Sequence, residues 1–150
     1  MAAVRTLLDV AVYNAIKDND ALWISIGGTA SGGGYGRLYP FTAPTGTDTP
    51  YLCYSFGTVA IFDVFKSDEP VAVEMPFHFD IFSSVAGPYE AESIQDKLFT
   101  AFKRGTDGIT ISLTGYKPFQ LRRGPDTQDY EKDTQYYHIS NSYMGIIVSI

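Results

Sequence analysis

The sequence is poor in the residues on which many catalytic and metal sites depend. Its 150 residues include a single cysteine, Cys53, and two histidines, His78 and His138. One cysteine excludes an internal disulfide and a multi-cysteine metal site. The chain also lacks the run of roughly 18 apolar residues that a membrane-spanning helix requires, so no contact with a membrane is expected.

Basic residues are also scarce. Eleven Lys and Arg against seventeen Asp and Glu give a net charge of −6. Because nucleic-acid affinity depends on clustered basic side chains, a generic phosphate-binding surface is not expected. Aromatic residues are plentiful instead, with eleven tyrosines and ten phenylalanines. Tyrosine is enriched at protein interfaces, so this surplus favours assembly with protein partners over catalysis.

The spacing of apolar residues predicts two helices. The first has one apolar stripe and ends at the polar run 18–20; its apolar residues are Val4, Leu7, Leu8, Ala11, Val12, Ala15 and Ile16. The second runs from about Pro88 to Lys103, with Gly105 as a left-handed cap. Residues 22–26 fit either a helical turn or the start of a strand.

Alternation and β-branched content predict strands at 37–39, 51–56, 59–65, 73–83, 109–114 and 134–149, with a charged turn at 66–70. The clearest is 73–83, where apolar and polar residues alternate strictly. Pro76 lacks the N–H of a ladder donor, which predicts an edge strand or a bulge there. We therefore expect a single α+β domain, with a mostly antiparallel β-sheet flanked by two helices.

Two segments are predicted as loops. Residues 27–36 contain six glycines and predict a flexible surface loop. The segment lacks the lysine of a phosphate-binding P-loop, because Gly33 stands at that position. Residues 122–133 carry mixed charges, which are equally consistent with a solvated loop and with a subunit interface.

Three chemical interpretations of the remaining polar residues are weak. Ser55 resembles the serine of a nucleophile elbow whose first glycine is missing. Cys53 with His78 or His138 would be a nucleophile and its base, but an inert buried cysteine is the default. Glu74, His78 and Asp80 share one strand face, yet successive residues on a face lie about 7 Å apart, so they cannot converge on one metal. No catalytic residue, metal or cofactor is predicted.

A pattern of residues along nearly the whole chain is similar to that of a known family. It consists of the helix Leu7–Ile16, Gly36-Arg37-Leu38-Tyr39 before a proline-rich stretch, Pro50-Tyr51-Leu52, Phe82-Ser83-Ser84, Gly87, Glu90-Ala91 with Ile94 and Leu98, and a final strand Tyr137–Tyr143. In these features the chain resembles the tail terminator, or tail completion, proteins of long-tailed bacteriophages, which join the tail to the head.

The resemblance implies a structural, non-enzymatic virion protein that assembles in the host cytoplasm at the head-proximal end of the tail. Such proteins form a six-subunit ring that stops polymerisation of the tail tube and meets the head–tail connector, while DNA passes through without specific binding. The acidic charge agrees, since it repels the passing duplex. Residues suited to contacts with neighbours are Tyr35, Arg37, Arg122, Arg123, Asp129 and Glu131.

Three alternatives stay open. The first is another head–tail joining or tail-assembly component of similar size. The second is a small hydrolase that uses Cys53 or Ser55. The third is a small ligand-binding α+β domain with an aromatic pocket.

Overall fold

The chain folds as an α+β domain whose helices pack on one face of a β-sheet. The computed structural model describes residues 2–57, 60–62, 72–85, 87–132 and 135–150. One apolar cluster fills the space between the helices and the sheet. The predicted fold class is confirmed.

Helix α1 (Ala2–Lys17) buries every fourth residue, Val4, Leu8, Val12 and Ile16, and ends before the polar run at 18–20. Asn19 then accepts a hydrogen bond from the backbone N–H of Leu22 (3.1 Å) and caps α2 (Asp20–Ser25). The ambiguous segment 22–26 is therefore mostly helical. The described residues contain three α-helices where the sequence predicts two.

Helix α3 (Tyr89–Ala101) buries Ala91, Ile94 and Leu98 against the sheet. Its end is not the predicted one, because Phe102 closes the helix and Gly105 lies three residues farther on. Gly105 has a positive φ of 115°. Its N–H donates to Oε1 of Gln120 and its carbonyl accepts from Nε2 of the same side chain, at 3.0 and 2.7 Å. Gly105 thus shapes the turn after the helix.

The sheet has six strands: β3 (Leu38–Pro40), β4 (Tyr51–Phe56), β5 (Ala60–Phe62), β6 (Ala72–Ser83), β7 (Arg122–Glu131) and β8 (Tyr136–Val148). Their order is β3-β4-β6-β8-β7, and β5 pairs with β6 beside β4. The β3–β4 pair is parallel and the other pairs are antiparallel, as the mostly antiparallel prediction requires. The rest of the predicted strand 59–65 and the turn 66–70 lie outside the described residues.

Strand β6 is central rather than at an edge or bulged, which corrects the inference from Pro76. Its alternate residues Val73, Met75, Phe77, Phe79 and Ile81 are buried, as predicted. The carbonyl of Pro76 accepts from the backbone N–H of Gly57, just beyond β4 and before β5 begins. In an antiparallel strand the backbone N and C=O of one residue point to the same side. The nitrogen of Pro76, which has no hydrogen, therefore faces the gap between β4 and β5, where no hydrogen bond of the ladder is lost.

Two other predictions at the C-terminal end are wrong. Residues 122–131 form strand β7 and not a loop. Their residue types favour turns, but hydrogen-bonded pairing with β8 overrides that preference. Residues 109–114 form only an isolated bridge, Ile111 to Phe119. They do bury Ile111 and Leu113 as alternation predicts, but without a neighbouring strand.

The glycine-rich segment forms a small hairpin and not an open loop. Strands β1 (Gly28–Thr29) and β2 (Gly33–Gly34) pair antiparallel beside Trp23. The indole Nε1 donates to the carbonyl of Gly33 (2.7 Å). A Cβ at Gly28 or Gly36 would lie 2.2 or 2.4 Å from the indole, so only glycine allows this approach. The glycines form a cradle for the buried tryptophan.

Candidate interface surfaces

Four of the six predicted contact residues lie on β7. This strand pairs with β8 on one side and is an edge of the sheet in the part of the chain that the structure describes. Arg122 and Arg123 lie at its start, and Asp129 and Glu131 at its end. Strand geometry separates the two ends by about 30 Å, so one subunit carries a basic and an acidic site along a single edge.

The other two predicted residues, Tyr35 and Arg37, lie next to β3 at the opposite edge. Tyr35 is 95% exposed. Arg37 has partners within the subunit, since its Nε donates to the carbonyl of Pro50 (2.8 Å) and its guanidinium covers Gly27. Arg37 joins the hairpin to the segment before β4. The structure thus places the predicted residues in three groups, two at the ends of β7 and one at the opposite edge of the sheet.

A buried polar network fixes β7 to the body of the domain. Nε2 of Gln95 on α3 donates to Asp126 on β7 and to Asn141 on β8, at 2.8 Å each. Nδ2 of Asn141 donates to the carbonyl of Phe79 (3.1 Å). On the same side of β7, the guanidinium of Arg123 lies over the ring of Phe99, 3.4 Å from its centroid. The start and middle of the edge strand are therefore held in place.

A row of aromatic rings crosses the sheet face that points away from the helices, and sequence reasoning missed it. Tyr51 stacks on Phe82 with a centroid distance of 4.8 Å, and Phe82 stacks on His138 at 4.3 Å. Tyr39 and Tyr136 meet Tyr51 edge-on. These rings are only half-buried. In the sequence, alternation of apolar and polar residues indicates only which face of its own strand each ring occupies. The row becomes apparent only when the order of the strands in the sheet is known.

A hydrogen-bonded pair, His138 and Asp80, lies next to this row. Nε2 of His138 is 3.1 Å from Oδ1 of Asp80, and Glu131 lies 3.9 Å from the other ring nitrogen. Burial raises the pKa of Asp80, but hydrogen bonds from His138 and Ser140, with the histidine charge, outweigh it and leave the pKa below its usual value. The carboxylate of Asp80 is therefore stabilised in the folded protein.

We expect Asp80 to contribute to acid sensitivity. Because its pKa is lower in the folded chain than in the unfolded chain, its contribution is present above the unfolded value of about 4 and is lost as the pH falls below it. Urea unfolding at several pH values between about 3 and 7 should show a shallower acid loss for Asp80→Asn than for the wild type. Asp48→Asn, at an exposed position, corrects for removal of one carboxylate. Equal acid loss in Asp80→Asn and the wild type would contradict this assignment.

The residues of the hydrolase interpretation also lie on this outer face. Ser55 is the register partner of His78, and Cys53 that of Asp80. His78 Nδ1 lies 3.5 Å from the hydroxyl of Ser142. Burial, followed by the charge of Asp80, raises the pKa of the Cys53 thiol to about 11. A protonated, 2% exposed thiol is a poor nucleophile at neutral pH.

Alkylation should therefore be slow in the folded protein. A rise in the thiol pKa from 9.0 to about 11 reduces the thiolate fraction by about 100-fold, and burial reduces access further. We expect iodoacetamide to label Cys53 at least about 100-fold more slowly at pH 7 than it labels the urea-unfolded chain. Labelling of the native protein at the unfolded rate would restore the catalytic interpretation.

Two kinds of observation concern metal and small-molecule sites. The described residues contain no group of three or more His, Cys, Asp or Glu side chains placed to hold a metal. A cavity of about 160 Å³ between α1 and the β3–β4 edge, near Asp9 and Tyr54, is below the roughly 300 Å³ at which ligand pockets begin. A larger cleft of about 400 Å³, between the end of α3 and the start of β7, lies within the volume range of ligand pockets. No helix in the described part is long and apolar enough to cross a membrane.

Comparison with known proteins gives a match in structure but not in sequence. No protein-family model matches the chain, and no curated protein does. A solved structure described as "Virion of native gene transfer agent (GTA) particle" contains a similar chain, with 16% identity and a TM-score of 0.64. The match covers 99% of this chain and 100% of that one. The chain therefore has a fold that occurs in a virion. At this identity the match shows the fold alone.

Proposed function

We propose that the protein is a structural component of a phage-like virion that caps the tail tube, stops its polymerisation and joins the tail to the head connector. The observation that carries the proposal is the match over the full length of both chains to a gene transfer agent virion chain. A match that spans nearly all of both chains favours a shared structural role over a fold reused for another function. The resemblance in sequence to tail terminators supports a position at the head-proximal end of the tail.

A six-subunit ring is the proposed assembly. A ring needs one patch on each subunit that docks against a different patch on the next. The basic start and the acidic end of β7 are such patches, since they lie far apart on one exposed edge, and Tyr35 at the opposite edge is a further candidate contact. The tail tube protein and the connector would contact the two open faces of the ring. DNA would pass through the channel of this acidic ring without specific binding.

Electron microscopy of lysates from phage that lack this protein tests the proposal. Overlong tail tubes detached from filled heads, rescued by added protein, are the expected result. Tails of normal length without heads would favour another head–tail joining component. Intact, infectious particles would overturn the structural role.

A further inference from the structure

A cleft of about 400 Å³ opens between the end of α3 and the start of β7, and we call it the α3–β7 cleft. Rings of Phe99, Phe102 and Tyr143 form its walls. Its rim carries four cations, Lys103, Arg104, Arg122 and Arg123. The entire chain has only eleven Lys and Arg, so more than a third of them meet at one place on an acidic protein.

The cleft contains a hydrogen-bond donor without an acceptor. The hydroxyl of Tyr143 is buried and has no partner among the described residues, and the side chain is 2% exposed. Its ring is fixed edge-on against Phe79 at 5.5 Å and by Phe102 at 6.0 Å. Buried polar groups almost always have a partner, and an exception points to a ligand or a partner group.

Two of the four cations at the rim have an acidic side chain within ion-pair distance, and the other two have none among the described residues. Arg123 is stacked on Phe99 and lies 3.9 Å from Asp126, and Lys103 lies 4.0 Å from the exposed Asp107. The side chains of Arg104 and Arg122 make no ion pair or hydrogen bond within the described chain. Both arginines and Tyr143 line this cleft, and guanidinium groups near a buried phenol O–H suit an anionic oxygen acceptor such as a carboxylate.

We propose that the α3–β7 cleft binds a carboxylate of a second copy of this chain, supplied by Asp129 at the far end of β7. The cleft of a subunit cannot reach its own Asp129, since Asp129 lies seven residue steps, or about 23 Å, along the strand from Arg122. Asp129 is exposed, and Tyr130, which follows it on the other face of the strand, is 50% exposed, so this end of β7 is open on both faces. The carboxylate of Asp129 and the cleft residue Arg122 thus belong to opposite ends of one strand, β7.

Such a contact is head-to-tail. Each copy has one cleft and one Asp129 end, so contacts propagate and close into a ring if the rotation permits. Its place in a tail-end ring rests on the proposed function, whereas the binding itself does not.

A phosphate of DNA would also satisfy Tyr143 and the arginines. The net charge of −6 opposes the approach of a polyanion, however, and phosphate contacts depend on many clustered cations without acidic neighbours. A second copy carries the same net charge, but it brings a single side-chain carboxylate to the cleft instead of a continuous phosphate backbone. The protein carboxylate is therefore the favoured occupant.

Reciprocal charge exchange tests the pairing. Sedimentation velocity from about 10 µM to about 1 mM should show association of the wild type, and Arg122→Glu or Asp129→Arg alone should raise the dissociation constant at least about tenfold. An equimolar mixture of the two variants, and the double variant alone, should associate again, because each restores opposite charges across the contact. Lys97→Glu and Asp96→Arg on α3 change the net charge equally outside the cleft and should have no such effect.

Removal of one atom separates binding from folding. Tyr143→Phe should weaken association about tenfold. Its stability as an isolated subunit should be unchanged or higher, because the substitution deletes an unpartnered polar group. A Tyr143→Phe protein that associates like the wild type would overturn the role of the hydroxyl.

The remaining outcomes also decide the question. A wild type that stays monomeric throughout, or charge-exchanged variants that fail to recover, would overturn the proposed occupant while leaving the phage-deletion test of the tail role untouched. Binding of a short DNA duplex that Arg122→Glu abolishes, without self-association, would assign the cleft to phosphate instead.

Discussion

Replacement of Trp23 by alanine should be among the most destabilising single changes in this protein. The side chain is 1% exposed, meets Tyr13 edge-on at 6.1 Å and donates to Gly33 at 2.7 Å. Loss of so large a buried ring typically costs about 3–5 kcal/mol in the free energy of unfolding. Urea unfolding followed by far-ultraviolet circular dichroism measures it. Tyr35→Ala, at an exposed position in the same segment, should change the free energy of unfolding by no more than about 0.5 kcal/mol.

A double-mutant cycle shows whether the glycines are required because of the tryptophan. Gly28 has no positive φ, so an added methyl group there acts only through its contact with the indole at 2.2 Å. Gly28→Ala should cost up to about 3 kcal/mol in the wild type and much less in the Trp23→Ala background, where the methyl group enters vacated space. An equal cost in both backgrounds would mean that the hairpin, and not the cradle, requires glycine.

The same tryptophan shows why composition was a poor guide to this segment. Six glycines within residues 27–36 are typical of a flexible loop when only the local sequence is considered. The requirement for glycine comes from a side chain on α2 that precedes the segment, and that packing is tertiary. By contrast, the period of α1 and the alternation of β6 are properties of each element alone. Both were predicted correctly.

The edge strand illustrates the complementary error. Residues 122–131 contain Gly124, Pro125 and several aspartates, all of which disfavour strands. Pairing with β8 overrides that preference, and a bulge between Arg123 and Asp126 accommodates the glycine and the proline. The residue types of the candidate interface could be read from the sequence. Their division between the two ends of one strand could not, because it depends on which partner the strand finds.

The aromatic row and the α3–β7 cleft lay beyond sequence reasoning for a further reason. Tyr51, Phe82 and His138 come from three strands and meet only through the order β4-β6-β8. Tyr143 and Arg122 likewise meet where two neighbouring strands pass the end of α3. Alternation predicts which face a residue occupies. It carries no information about which strands are neighbours.

Disruption of the Gln95 network should have the second large effect on stability. Asn141 is 1% exposed and Gln95 6% exposed, and each supplies a partner to the other. Asn141→Leu removes the side-chain donor to the Phe79 carbonyl and one of the two acceptors of the Gln95 amide, and each buried group that loses a partner costs about 1–3 kcal/mol. We expect a total loss of about 2–4 kcal/mol in the free energy of unfolding.

The double variant Gln95→Met, Asn141→Leu should cost less than the two single variants together, by about 1–2 kcal/mol, because it removes both partners instead of leaving a buried amide with a lost hydrogen bond. The exposed pair of Tyr137 and Gln128, whose hydroxyl–amide bond is 2.7 Å, is the matched control. Tyr137→Phe and Gln128→Leu should be additive, since water replaces either partner. Additivity of the Gln95 and Asn141 variants to within about 0.5 kcal/mol would show that the network does not tie α3 and β8 together in the folded domain.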